Sequence, residues 1–196
     1  MAETAAPTRS RRRGAVLEHA LCLAAVAELA EVGYAGLTME GVAARAKTGK
    51  AAVYRRWPNK HALTLDALRH VLPPAPEFDP RISARENLRR AFITLCGILA
   101  GETPFPGLPI AVGLLGDPDL RATFADAVVA PRLRTIASIL DRAELTGEIA
   151  AGTRAPLAAH VGPALIMHTF LLTGAPPTAA DITRIVDTVL PVTPQP

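Results

Sequence analysis

Apolar residues follow helical spacing along almost the whole chain. Between about Arg11 and Val32, the residues Val16, Leu17, Ala20, Leu21, Ala24, Ala27 and Leu29 recur near i, i+3, i+4. This pattern predicts a helix with one buried face, and Gly33 supplies its stop. Residues 1–10 show no such periodicity and read as a flexible arm. After the Gly33–Leu37 turn, Thr38 is a good N-cap, and Met39, Val42, Ala43 and Ala46 give one short apolar face. Lys47-Thr48-Gly49 then turns the chain into a second short helix, about Lys50 to Trp57. Pro58-Asn59 breaks that helix and starts another, which runs to about Leu72.

Pro73, Pro74 and Pro76 mark a boundary, because proline fixes φ and lacks the N–H donor. Beyond it the helical patterns lengthen. Ser83–Leu99 carries Leu88, Phe92, Leu95, Cys96 and Leu99. Gly101–Pro109 is rich in Gly and Pro and leads toward a short helix near Pro109–Leu115. A further helix runs from Pro118 to about Ala143, with a kink expected at Pro131. Ala155–Thr173 and Thr178–Leu190 are the last two. No stretch reads as a strand and there is no internal repeat. The domain division expected is an arm at 1–10, a first helical domain at 11–57 with a linking helix at 58–72, and a second helical domain at 73–196.

Composition agrees with helices: hydrophobic residues make up 49% of the 196 and aromatics 4%, whereas strands favour β-branched and aromatic residues. The net charge of +3 decides little, but its distribution is uneven. Residues 1–70 hold 11 Lys/Arg against 6 Asp/Glu, and the remainder 10 against 12, so a basic front is set to meet a polyanion. Cys22 and Cys96 lie inside apolar patterns with no metal-type spacing and read as buried thiols of a reducing compartment. No segment approaches the roughly 20 apolar residues needed to cross a bilayer, and no secretory leader is evident, so a cytoplasmic protein is expected. Phosphate loops, nucleophile elbows, His-Glu-x-x-His and paired carboxylates are absent. An enzyme is therefore not expected, nor a cofactor.

The segment from Leu37 to Lys60 carries the functional signal. Two short helices are joined by a few turn residues, and small side chains at Ala43, Ala44, Ala46, Ala51 and Ala52 let them cross closely. The second helix is too polar for a core helix: Lys50, Tyr54, Arg55 and Arg56 place donors for phosphates and base edges at helical spacing. Its slim start, Gly49 to Ala52, suits close approach to a major groove. The alternative reading of this segment is a short solvated basic helix in a bundle. The ordered set Leu37-Thr38, Ala44-Arg45-Ala46, Val53-Tyr54-Arg55-Arg56-Trp57 and Pro58-Asn59-Lys60 resembles the N-terminal domain of the TetR family, the tetracycline-repressor-like regulators. The resemblance covers about residues 12–72. Lys47 stands where a turn Gly is usual, and Gly49 where a Ser often caps the recognition helix. The rear half, through Leu140 to Ile149, is similar to the all-helical regulatory domain of that family.

The resemblance implies an all-α fold: a three-helix helix-turn-helix domain followed by a helical ligand-binding and dimerisation domain. It implies that Lys50, Ala51, Ala52 and Tyr54 face bases or the adjacent backbone. Thr38, Thr48, Arg56 and Lys60 are expected at phosphates. Arg45 is equally a phosphate contact or a solvated charge, and Arg11-Arg12-Arg13 either a minor-groove arm or a solvated run. Trp57 is expected in the core. In the rear, Phe92, Leu95, Cys96, Leu99, Leu108, Leu114, Phe124, Val128, Met167 and His168 are candidates for a ligand pocket, each with plain core as its alternative. His160 and His168, eight residues apart on one helix, cannot share an ion, so no metal site is read. The implied partners are double-stranded DNA with a palindromic operator, a second copy of the chain packed through its last two helices (Gly162, Ala164, Thr169 and Leu172 among the contacts), and a small, apolar effector that releases the DNA. A ligand-independent architectural DNA protein, or an activator, is the alternative function.

Overall fold

A computed structural model describes residues 9–105, 116–150 and 157–190, with side chains from Gly14 onward. Among the described residues every regular element is helical. They fall into two compact units, the first formed by 9–73 with 104–105 and 116–121, the second by 74–103 with 122–150 and 157–190. The main division falls between Pro73 and Pro74, and the segment around Asp117 groups with the first unit.

The first unit contains α1 (Arg9–Gly36), α2 (Met39–Arg45), α3 (Lys50–Tyr54) and α4 (Lys60–Val71). α1 changes direction at Gly33, whose φ of 69° lies where a Cβ is disfavoured. α2 begins at Thr38, whose Oγ1 accepts from the Gly41 N–H at 3.0 Å, and α4 at Asn59, whose Oδ1 accepts from the Ala62 N–H at 2.9 Å. Caps of this kind stabilise a helix by about 1 kcal/mol each. Leu21, Cys22, Ala25, Val26 and Leu29 of α1 are buried, as are Met39, Val42 and Ala43 of α2, Val53 of α3, and Leu63, Leu65 and Leu68 of α4. Val16, by contrast, is 71% exposed, so the apolar stripe becomes core only from the second half of α1.

The second unit contains α5 (Ala84–Leu99) and most of a helical run that starts in α6 (Pro118–Phe124), whose first four residues group with the first unit, passes through a π-helical turn at Ala125–Val129 and continues as α7 (Ala130–Leu145). α8 (Ala158–Thr173) and α9 (Ala179–Val189) follow. The expected kink at Pro131 is realised as this π turn. Pro131 cannot donate, and its ring crowds the preceding turn. The Ala130 N–H bonds back to the Ala125 carbonyl, widening the helix, and Arg132 Nη1 donates to the Val128 carbonyl at 2.7 Å. α5, α7, α8 and α9 enclose a core of Leu88, Phe92, Ile139, Leu140, Ile166 and Val186 with their neighbours. Charged groups close its ends. Both carboxylate oxygens of Glu148 accept from the first N–H of α5, at 3.1 Å. Arg85 pairs with Asp187 and donates to the Leu190 carbonyl at the end of α9.

Candidate nucleic-acid interface

α3 is held by one buried side chain, Val53, and by its junction with α4. Trp57 is buried there, as expected, and its indole N–H donates to Asp66 on α4 at 2.9 Å. The helix ends at Tyr54, three residues short of the expected Trp57. Arg55 is its C-cap and Arg56 lies in a turn, because Pro58 disfavours helical backbone at the residue before it. With Val53 turned inward, Lys50, Ala51, Tyr54 and Arg55 are exposed on one side, and Ala52 is half-buried. The turn before α3 is tight: the Thr48 N–H reaches the Ala43 carbonyl at 2.9 Å, and Lys47 takes up a left-handed φ of 53°.

The cations of this unit divide into two groups. Arg45 donates Nε to Glu28 at 2.8 Å and Nη2 to Glu31, so α1 neutralises it. Arg56 donates to the Ala52 carbonyl at 2.9 Å and stands 4.0 Å from Glu18. Lys60 closes the end of α1: its ammonium donates to the Tyr34 carbonyl at 3.0 Å and lies 4.6 Å from the centre of the Tyr34 ring. These three serve the fold first. Lys47, Lys50 and Arg55 pair with no other described residue. Their charge is left for a polyanion.

Thr38 is exposed and caps α2, and Thr48 is half-buried in the turn. Tyr54 is 48% exposed and donates to Glu40 of α2 at 3.2 Å. Desolvation, and then the Glu40 bond and charge, hold its phenol above the ordinary value. The structure therefore leaves Lys50, Ala51, Tyr54 and Arg55 exposed on one side of α3, with Lys47 exposed in the turn before it. The ammonium of Lys60 is engaged with the Tyr34 carbonyl. Arg55 is one of the donors that the sequence places at helical spacing. The side chains of Arg11, Arg12 and Arg13 lie outside those described.

Two family profiles cover most of the chain. Residues 21–67 match "Bacterial regulatory proteins, tetR family", and residues 83–189 match "Tetracyclin repressor-like, C-terminal domain". The chain belongs to the TetR family. A "DNA-binding transcriptional repressor TetR" of Mycobacteroides abscessus is 30% identical over 182 residues, covering 91% of this chain and 94% of the relative. An uncharacterized HTH-type transcriptional regulator of Mycobacterium tuberculosis is 30% identical over 166 residues, or 83% and 80% of the two chains. The crystal structure of a transcriptional regulator FadR from Bacillus subtilis, in complex with stearoyl-CoA, superposes with a TM-score of 0.66 at 18% identity, covering 88% of this chain and 97% of that one. The chain is thus an all-helical, TetR-family helix-turn-helix transcriptional regulator.

In the regulatory unit of this TetR-family chain, Phe92, Cys96 and Val128 are buried and Leu95 and Leu99 pack against the core. Phe124 and Met167 are half-buried. Burial pushes the Cys96 thiol up to about 11. His168 is exposed on α8, not among these apolar side chains. Leu108 and Leu114 lie outside the described residues. Gly162, expected at a contact between copies, faces inward instead. A Cβ there would overlap the ring of Phe92, so its smallness serves the core of its own chain. No helix among the described residues is long and apolar enough to cross a membrane.

Proposed function

We propose that the chain is a homodimeric repressor that holds a palindromic operator through two copies of α3 and leaves it when a small, apolar ligand enters the regulatory unit. The observation that carries the reading is the exposed face of Lys50, Ala51, Tyr54 and Arg55 beside Lys47, cationic and slim, on a helix anchored from behind by Val53 and Trp57. Lysine can donate to guanine O6 and N7, an alanine methyl can meet a thymine methyl, and tyrosine can bond a phosphate. Thr38 and Thr48 border this face as further phosphate contacts. Two-fold symmetry sets half-sites about 34–36 Å apart or somewhat wider.

The pairing of copies is supported by α8. It is 16 residues long without a single Asp, Glu, Lys or Arg, yet only Ala159, Gly162 and Ile166 are buried. Leu165, Leu171 and Leu172 remain exposed, with Leu172 at 73%. A helix apolar on all sides needs a second surface. Ligand release follows the family pattern, and the stearoyl-CoA held by the FadR neighbour supports an apolar effector. The ligand needs only a differential affinity of about 1–3 kcal/mol between the states to couple to DNA.

The test is a Lys50→Ala/Tyr54→Ala variant assayed against DNA upstream of its own reading frame. Loss of specific binding is expected, with the dimer mass and melting temperature nearly unchanged. Wild-type affinity in that variant overturns the assignment of α3.

A further inference from the structure

His19 on α1 and His70 on α4 face each other across the seam between the two helices. Nδ1 of His19 stands 2.7 Å from Nε2 of His70, with ring centres 4.9 Å apart and planes tilted by 57°. Both rings are exposed. A neutral imidazole has one N–H and one lone pair, so at this distance one ring donates to the other. When the donor ring carries its proton on its outer nitrogen instead, both inner nitrogens offer lone pairs to the seam between the two helices.

We propose that this pair is a binding site for a borderline divalent transition-metal ion, Cu²⁺, Ni²⁺ or Zn²⁺, with His19 Nδ1 and His70 Nε2 as the protein ligands. Imidazole is the side chain such ions select over the oxygen-seeking Mg²⁺ and Ca²⁺. With metal–nitrogen bonds of about 2.0–2.1 Å, neighbouring ligands stand about 2.9 Å apart at a square-planar ion and about 3.3 Å at a tetrahedral one. The nitrogens must therefore separate by a few tenths of an ångström and both rings must turn to aim their lone pairs at one ion, which exposed side chains have room to do.

The surroundings favour a cation. Asp66 lies one turn before His70 on α4, and Glu18 adjoins His19 on α1. Their negative field reaches the seam: after burial itself, Asp66 and then Glu18 hold the Cys22 thiol up to about 12. Arg56 stands 4.0 Å from Glu18 and so offsets part of that field, and Arg69 is next to His70 in sequence. Cys22, three residues after His19, is buried and protonated, and a metal binds thiolate. Among the described residues no third His, Cys, Asp or Glu joins the pair, so water fills the remaining positions and the ion exchanges with solvent. The bound ion joins α1 to α4 within the first unit, whatever the DNA reading proves to be.

The experiment uses the full chain without a polyhistidine tag, titrated with CuCl₂, NiCl₂ or ZnCl₂ by calorimetry, with MgCl₂ as control. One ion per chain is expected near neutral pH, tightest for Cu²⁺, with a raised melting temperature. Binding weakens in acid, where protons compete with the ion for its ligands. His19→Ala and His70→Ala each weaken it by an order of magnitude or more, whereas His160→Ala/His168→Ala leaves it unchanged. In the wild-type protein, substoichiometric Cu²⁺ broadens the ring-proton resonances of His19 and His70 before those of the other three histidines, a readout that needs no variant. An unchanged stoichiometry in a folded His19→Ala/His70→Ala chain, or no ion on the wild type, overturns the proposal.

Discussion

The Tyr54 hydroxyl donates to Oε1 of Glu40 at 3.2 Å, tying α3 to α2 at the outer edge of the DNA-binding unit. The bond occupies the hydroxyl proposed for a phosphate and holds a carboxylate against the end of α3. In Glu40→Gln the anion is gone while the shape remains. The phenol, now held up by desolvation with less help from Glu40, is expected to titrate at lower pH in an ultraviolet absorbance titration. Affinity for any DNA should rise several-fold at low salt and converge with the wild type at high salt. An unchanged phenol titration would show that the bond does not persist in solution.

Lys47 is the residue that departs from the usual glycine of the helix-turn-helix turn, and its φ of 53° is where side-chain-bearing residues are strained. Left-handed backbone costs an L-residue about 1–2 kcal/mol. Glycine relieves that but loses more entropy on folding, so Lys47→Gly is expected to stabilise by at most about 1 kcal/mol in denaturant melts. The same change removes a cation with no described partner. The slope of log affinity against log salt should therefore fall by about 0.9, one phosphate contact. A gain in stability with an unaltered slope would mean that Lys47 points away from DNA.

Much of this architecture was legible because its signals are local. Thr38, Asn59, Ser83 and Thr178 each cap the helix that begins at the next residue, and Gly33 bends α1 where a stop was expected. Pro131 announced an irregularity, though not that the chain would absorb it as a π turn four residues earlier. The sorting of cations was not legible. Arg45 finds Glu28 across 17 residues and Lys60 finds the Tyr34 carbonyl across 26, and only the packing of α1 against α2 and α4 creates those pairs. The same holds for His19 and His70, 51 residues apart. Gly162 misled for a related reason: a small residue in an apolar helix fits a contact between copies as well as it fits the ring of Phe92.

That contact yields a stability prediction. A methyl at position 162 would overlap Phe92, which is fully buried and hemmed in by α7 and α9. Overpacking a closed core typically costs 1–3 kcal/mol, so Gly162→Ala is expected to lose about that much. Phe92→Leu alone also destabilises, but it opens the space the new methyl needs. The double variant should therefore be more stable than the sum of the two losses implies, by about 1 kcal/mol or more in a double-mutant cycle. Strict additivity would place the cost elsewhere, for instance in a face of α8 that meets a second copy.

Acid should reach last the carboxylates that flank the start of α5. Two guanidinium bonds from Arg89, at 2.6 and 2.8 Å, and one from Arg90 at 3.1 Å hold Glu86 down to about 2. Arg81 does the same for Asp79, also to about 2. A carboxylate whose folded value is depressed contributes stability above its ordinary value near 4, and that contribution fades as the pH falls toward 2. Both groups lie at the surface, so salt screens the effect. Carboxyl-carbon NMR titration should find the Glu86 midpoint near 2 at low ionic strength and higher in concentrated salt. Arg89→Gln should raise that midpoint more than Arg90→Gln, because it removes two bonds and the nearer charge. Equal shifts from the two variants would mean that long-range charge, not the paired geometry at Arg89, sets the acidity of Glu86.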